Sequence, residues 1–114
     1  MREHLSPEEI KVFQKVIEND SGRAEMVQLF KLLGDNTRLN IITLLTRKEP
    51  LCVEDLMKCT GMEQSAISHQ LKKLRAHHIV KAEKVGKHVW YFLEDHHVLQ
   101  LYNLADEHCC EEHS

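Results

Sequence analysis

The chain has 114 residues, 42% of them hydrophobic, with 15 Lys and Arg against 18 Asp and Glu for a formal net charge of −3. That length sets the expectation of one domain over residues 1–114 with a modest core that self-association would supplement. No apolar run approaches the ~18 residues of a membrane span, and the opening MREHLSPEE has no hydrophobic signal region, so a cytoplasmic protein without membrane contact is expected.

Four cysteines, Cys52, Cys59, Cys109 and Cys110, lack the spacing of a small secreted disulfide framework, and reduced thiols are expected. The net charge argues against nucleic acid until its distribution is read. Residues 65–89 carry Lys72, Lys73, Arg75, Lys81, Lys84 and Lys87 against the single Glu83, a local +5 that leaves −8 for the rest. Such a body can favour DNA through one face.

In chain order, Ser6-Pro7-Glu8-Glu9 reads as a helix start, with a capping Ser, Pro at the first position and Glu in the first turn. Ile10, Phe13, Val16 and Ile17 recur at helical spacing to about Asn19, and Asn19-Asp20-Ser21-Gly22 reads as a turn. A second helix is expected from Arg23 to Leu33, burying Met26, Val27, Phe30 and Leu33. Gly34 ends it, and Asp35 caps a third helix whose apolar residues are Leu39, Ile42, Leu44 and Leu45. Pro50 prevents that helix from continuing. All three apolar faces are expected to be core.

A short helix over Val53–Cys59 ends at Thr60-Gly61 and is followed by a longer one from about Glu63 to His77, the layout of a helix-turn-helix over about 53–77. The longer helix puts Ala66, Ile67, Leu71 and Leu74 on one side. Its polar side offers Ser65, Ser68, His69, Gln70, Lys72, Lys73 and Arg75 to bases and phosphates of double-stranded DNA. From Val80 the period becomes two. Gly86-Lys87 makes a turn, and His88 to Leu93 is strongly β-prone. A hairpin over 80–93 with basic Lys87 at its tip completes an α+β, mostly helical, winged helix-turn-helix.

The last helix, about 96–112, carries His97, Leu101, Leu104, His108 and Glu111 at steps of four, three, four and three, a heptad seam. His97 and His108 sit roughly 16 Å apart on one face, too far for one ion whose bonds to His are about 2 Å. Two such helices laid antiparallel close the gap, since the midpoint of the His pair coincides with that of Leu101 and Leu104. Asp95 can join His97 only from the helix cap, while Glu111 lies one turn beyond His108. The seam therefore reads as a homodimer with two symmetry-related metal sites of Asp95, His97, His108 and Glu111. The competing reading is a solvated acidic tail, in which His96, Glu107, Glu112 and His113 are equivalent neighbours.

These residues together resemble the ArsR/SmtB family of bacterial metal-sensing repressors along nearly the whole length. The resemblance rests on LFKLLGDNTRLNIITLL at 29–45, LCVEDL at 51–56, SAISHQLKKLR at 65–75, VKAEKVGKHVWYFL at 80–93, and Asp95-x-His97 with His108-x-x-Glu111. The last pattern is similar to the zinc-responsive branch. It implies a dimer that binds an operator when metal-free and lets go when Zn(II) binds; Co(II) would substitute on the nitrogen–oxygen set, while Cd(II) or Pb(II) would draw on Cys109 and Cys110. Some relatives carry a second, thiolate-rich site, for which Cys52 and Asp55 occupy the corresponding place here, although the arm MREHLS has His4 and no Cys. Cys59 is expected as a small buried residue. Cys109 and Cys110 lie about 100° and 200° around the helix from His108.

No catalytic residues are expected, because a four-ligand metal set leaves no open position for water. Rival readings are a repressor of the same fold sensing thiol chemistry, Cd(II) or Pb(II) through its cysteines, and a metal buffer without a DNA role.

Overall fold

The computed structural model describes residues 2–18 and 21–110. The chain divides into two units, Met1–Lys31 and Leu32–Ser114, with the boundary inside the second helix.

The first unit holds α1 (Pro7–Glu18) and most of α2 (Arg23–Leu33). The expected start of α1 is a full reciprocal cap. Ser6 Oγ accepts from the Glu9 N–H at 3.1 Å, and the Glu9 carboxylate accepts from the Ser6 N–H at 3.0 Å. Of the expected turn, Asn19 and Asp20 lie outside the described residues; the Met26 N–H donates to the Gly22 carbonyl as α2 begins.

The expectation that these helices bury their apolar faces is corrected. Ile10, Phe13, Val16 and Ile17 remain 42–63% exposed, and Met26, Val27 and Phe30 47–55%. Leu33 is half-buried, and Leu32 is the one buried residue of α2. A 3.6-residue period shows that a face requires a covering surface; it does not say which chain supplies it.

The second unit contains α3 (Asn36–Arg47), β1 (Leu51–Cys52), α4 (Val53–Thr60), α5 (Gln64–Ala76), β2 (Val80–Val85), β3 (His88–Leu93) and α6 (His96–Cys110). Asp35 caps α3 as expected, its carboxylate accepting from the Arg38 N–H at 3.0 Å. The buried residues of α3 are Ile41, Ile42 and Leu45. Leu39, expected among them, is 37% exposed, and Leu44 is half-buried. Ile41, not Leu39, belongs to the inward arc.

Gly61 terminates α4 with a left-handed φ of +74°, its N–H returning to the Met57 carbonyl. Thr60 Oγ1 accepts from the Met62 N–H, tightening the turn into α5. The sheet has the order β1-β3-β2, all antiparallel. Val85 pairs with His88, so Gly86-Lys87 is a two-residue hairpin loop with Gly86 at φ +64°. β1 was not foreseen; it pairs Leu51 with Tyr91 and Cys52 with Trp90.

The core of this unit is drawn from every layer: Ile41, Ile42 and Leu45 of α3, Leu56 of α4, Ile67, Leu71 and Leu74 of α5, then Ile79 and Val80. Each of these is at most 2% exposed, and no polar or charged side chain is buried among the described residues. The result is an α+β winged helix-turn-helix in which α5 packs against α3 and α4 and is followed directly by the wing.

Candidate functional site

With Ile67, Leu71 and Leu74 turned inward, the 3.6-residue period forces the polar side of α5 outward. Ser65, Ser68, His69, Lys72, Lys73 and Arg75 are all exposed, and Lys87 is exposed in the hairpin loop. Lys81 holds its ammonium 5.5 Å from the centre of the Phe92 ring, a cation–π contact on the wing.

Gln70 stands apart from this group. It is half-buried, and its Oε1 accepts from Arg38 Nη1 at 3.2 Å. Sequence reasoning also passed over Gln64, exposed in the first turn of α5. A recognition helix meets base edges with its N-terminal residues, and Gln pairs with adenine through two hydrogen bonds. Its place one residue before Ser65, just past the turn glycine, was the available signal.

The second constellation lies on α6. Asp95 immediately precedes the helix, as the cap geometry required. Its Oδ1 accepts from the His97 N–H at 2.8 Å and stands 2.9 Å from His97 Nδ1. The backbone N–H of His97, aided by the ring, holds the Asp95 carboxyl below its usual range. His97 and His108 are exposed, Leu101 is half-buried, and Leu104 is 65% exposed, so the seam faces outward. Glu111, like Glu112 and His113, lies outside the described residues. Among the described residues of one chain, no three His, Cys, Asp or Glu side chains converge as metal ligands.

The cysteines divide by environment. Cys52 is buried, with its thiol 3.2 Å and its N–H 3.4 Å from Asp55 Oδ2. The thiol hydrogen bond and then the N–H hold the Asp55 carboxyl below its usual range. Cys59, expected to be buried, is exposed, because it falls on the outer side of α4 while Leu56 points into the core. Cys109 and Cys110 are exposed on a helix that stays regular through Cys110, and so remain off the seam. The Cys110 thiol donates to Asp106 at 3.3 Å, which pushes its pKa up and disfavours the thiolate. His4 of the arm is exposed. No helix among the described residues is long and apolar enough to cross a membrane.

Comparison with known proteins places this geometry in a family. Residues 35–82, which run from the α3 cap into β2, match the model described as bacterial regulatory protein, arsR family. The chain is 36% identical over 104 residues to the transcriptional repressor SmtB homolog of Synechocystis, covering 91% of this chain and 78% of that protein. It is 42% identical over 90 residues to the HTH-type transcriptional regulator NmtR of Mycobacterium tuberculosis, covering 79% and 74%. Its fold matches the homodimeric winged helix-turn-helix DNA-binding domain Mb0332 of Mycobacterium bovis with a TM-score of 0.70 at 27% identity, over 84% of this chain and 95% of that one. The chain belongs to the ArsR/SmtB family of winged helix-turn-helix transcriptional regulators.

Proposed function

We propose that residues 1–114 work as one domain, a metal-responsive transcriptional repressor. As a metal-free homodimer it binds an inverted-repeat operator, and Zn(II) bound across the dimer interface releases it, derepressing genes of metal resistance or efflux.

One observation carries this reading: Asp95 Oδ1 and His97 Nδ1 stand 2.9 Å apart at the exposed start of α6. That separation is close to the ~3.3 Å edge of a tetrahedron built from metal–ligand bonds of about 2 Å. To bind metal through Nδ1, a neutral His97 would carry its proton on Nε2, leaving Nδ1 and the Asp95 carboxylate both free to donate electron pairs. The donor set fits zinc. Two donors alone do not close a site, and no third joins from the same chain among the described residues. His108 and Glu111 of a second copy, brought up by antiparallel pairing of α6, would complete it with two neutral imidazoles and two carboxylates that balance the ion's charge. Co(II) or Cd(II) would occupy the same set.

Dimerisation is further supported by the apolar surface one chain leaves uncovered, Phe13, Val16 and Phe30 on the first two helices and Leu104 on α6. On the DNA side, Gln64, Ser65 and Ser68 stand nearest the base edges, with His69 beside them. Lys72, Lys73, Arg75 and Lys87 supply phosphate contacts. Because both recognition helices must fit successive major grooves, a metal that fixes the dimer interface restricts their spacing.

The test is a zinc titration of operator affinity. Zinc should weaken operator binding roughly 5- to 150-fold, the range of ordinary allosteric couplings, and operator should weaken zinc binding by the same factor. Zinc that binds tightly while operator affinity stays constant would leave a metal-binding DNA protein without a switch.

A further inference from the structure

The Arg38 side chain bridges two other helices, α2 and α5. It sits in the first turn of α3, half-buried, with its own N–H capped by Asp35. Its Nε donates to the Leu32 carbonyl at 3.0 Å, in the last turn of α2. Its Nη1 donates to Gln70 Oε1 at 3.2 Å, in the middle of α5. Leu32 is itself buried, so its carbonyl is fixed by packing.

We infer that Arg38 is a positioning residue for DNA recognition: by tying Gln70 to the Leu32 carbonyl it sets the rotation of α5 about its axis, and Gln70 serves as the anchor of that tie.

Three features point to this role. A helix in its last turn has carbonyls without intrahelical partners and a partial negative charge, so a guanidinium is the natural donor there. The guanidinium is planar, and its Nε and Nη1 donate in fixed directions; two acceptors held by one rigid fork cannot turn independently. Gln70 lies one residue from the buried Leu71 and two from the exposed Ser68, at the border of the inward and DNA-facing arcs. A hydrogen bond at that border adds a directional restraint on rolling of the helix to the packing of Ile67, Leu71 and Leu74. A roll displaces Gln64, Ser65 and Ser68 together, so specificity would fall while charge contacts persist. The oxygen of Gln70 is engaged in this bond, so Gln70 stabilises the reading frame of the helix instead of reading a base with that atom.

This inference rests on α5 entering the operator, and the experiment separates the two ideas. An operator duplex is selected from a random pool by the wild-type protein, and a scrambled duplex of equal length serves as the non-specific probe. Failure of the wild type to prefer any duplex would sink the proposed function itself. Given that preference, Arg38→Ala, Gln70→Ala and the double variant are measured on both duplexes over a range of salt, together with thermal midpoints. Each single variant should lose about tenfold or more in operator affinity, the size of a lost base-pair contact. Scrambled-duplex affinity and the salt slope should be unchanged, and the double variant should be no worse than either single one.

A salt slope reduced by about one per protomer, with scrambled-duplex binding reduced too, would make Arg38 a phosphate contact and overturn the inference. Additive losses, or a Gln70→Ala defect confined to one operator position, would make Gln70 a base reader and overturn it as well. If Arg38→Ala does not fold, Arg38→Lys keeps the charge but not the fork. It should fold and show the same selective loss of operator affinity. An Arg38→Lys protein with wild-type operator affinity would leave Arg38 with no positioning role.

Discussion

The recognition helix and the last helix are both amphipathic, and the chain treats them in opposite ways. In α5 the apolar residues Ile67, Leu71 and Leu74 are at most 1% exposed. In α6 only Val98 is buried, and Leu104 of the heptad seam stays 65% exposed. A helix whose apolar stripe is already covered is oriented by its own chain and can devote its other side to DNA. A helix whose stripe is partly bare has surface left to cover when another chain arrives. The Asp95–His97 pair, proposed as half of a metal site, sits on the second kind, so on that proposal metal would be sensed where the single chain is least complete and reported where it is most complete.

The largest effect should come from breaking the unfinished region in two different places. Each zinc site is proposed to take Asp95 and His97 from one chain and His108 and Glu111 from the other. A variant with Ala at Asp95 and His97, and another with Ala at His108 and Glu111, should therefore each bind zinc weakly as homodimers. Refolded together, they form mixed dimers in which both lesions fall in one site and the other site is whole. Tight binding of one zinc per mixed dimer is expected. A site contained within one chain would recover nothing in any mixture, and that outcome, with mixed dimers shown to form, would discard the antiparallel pairing of α6.

Next in size is the contrast between two leucines. Leu71 is 1% exposed in the core of the second unit. Leu71→Ala should cost about 2–5 kcal/mol through the lost transfer energy and the cavity left behind. Leu104→Ala should leave protomer stability nearly unchanged and instead raise the dimer dissociation constant, visible by sedimentation at low concentration. Equal destabilisation of both, or a Leu104→Ala dimer as tight as the wild type, would remove the distinction between finished and unfinished helices.

The same contrast explains what the sequence disclosed. Alternation over 80–93 and the turn at Gly86-Lys87 marked the wing, and Asp35, Gly61 and Ser6 marked helix ends, because caps and turns are local chemistry. β1 escaped because two residues have no period; Leu51 and Cys52 become a strand only through pairing with Tyr91 and Trp90. The faces of α1 and α2 were legible as faces but not as exposed ones, since hydrophobic spacing is the same whether the cover comes from within or from a second chain. For the candidate sites, the capping position of Asp95 was legible in the sequence, and Asp95 does accept from the His97 N–H at the start of α6. The engagement of Gln70 by Arg38 spans 32 residues, and no local rule connects them.

A smaller effect should distinguish two lysines of the wing. Lys87 is exposed in the hairpin loop, whereas Lys81 lies over Phe92. If Lys87 contacts a phosphate, Lys87→Ala should flatten the salt dependence of operator binding by about one counterion per wing. Lys81→Ala should change that slope less, because its charge is partly committed to the ring. An unchanged slope for Lys87→Ala would take the tip of the wing out of the interface, leaving α5 as the main contact.

The smallest effect concerns two carboxylates at helix starts, one in each region. Asp55 is held below its usual range first by the Cys52 thiol, and Asp95 first by the His97 N–H. A carboxylate whose pKa is lower folded than unfolded stabilises the fold above its unfolded value, about 3.9, and that stabilisation fades as pH falls through the folded value. The Asp55 contribution should therefore be intact at neutral pH and lost below about pH 4. It should be small, under about 1 kcal/mol, because the side chain is partly solvated. Asp55→Asn keeps an acceptor oxygen without the charge, so its acid unfolding curve should be shallower than the wild type's at its low-pH end. An identical curve would mean that the contacts with Cys52 do not favour the ionised form. Zinc sharpens the test. With α6 as the metal site, saturating zinc should leave the NMR titration of the Asp55 carboxyl where it was; a carboxyl that no longer titrates once zinc is added would move the metal to Cys52 and Asp55, into the region that one chain completes by itself.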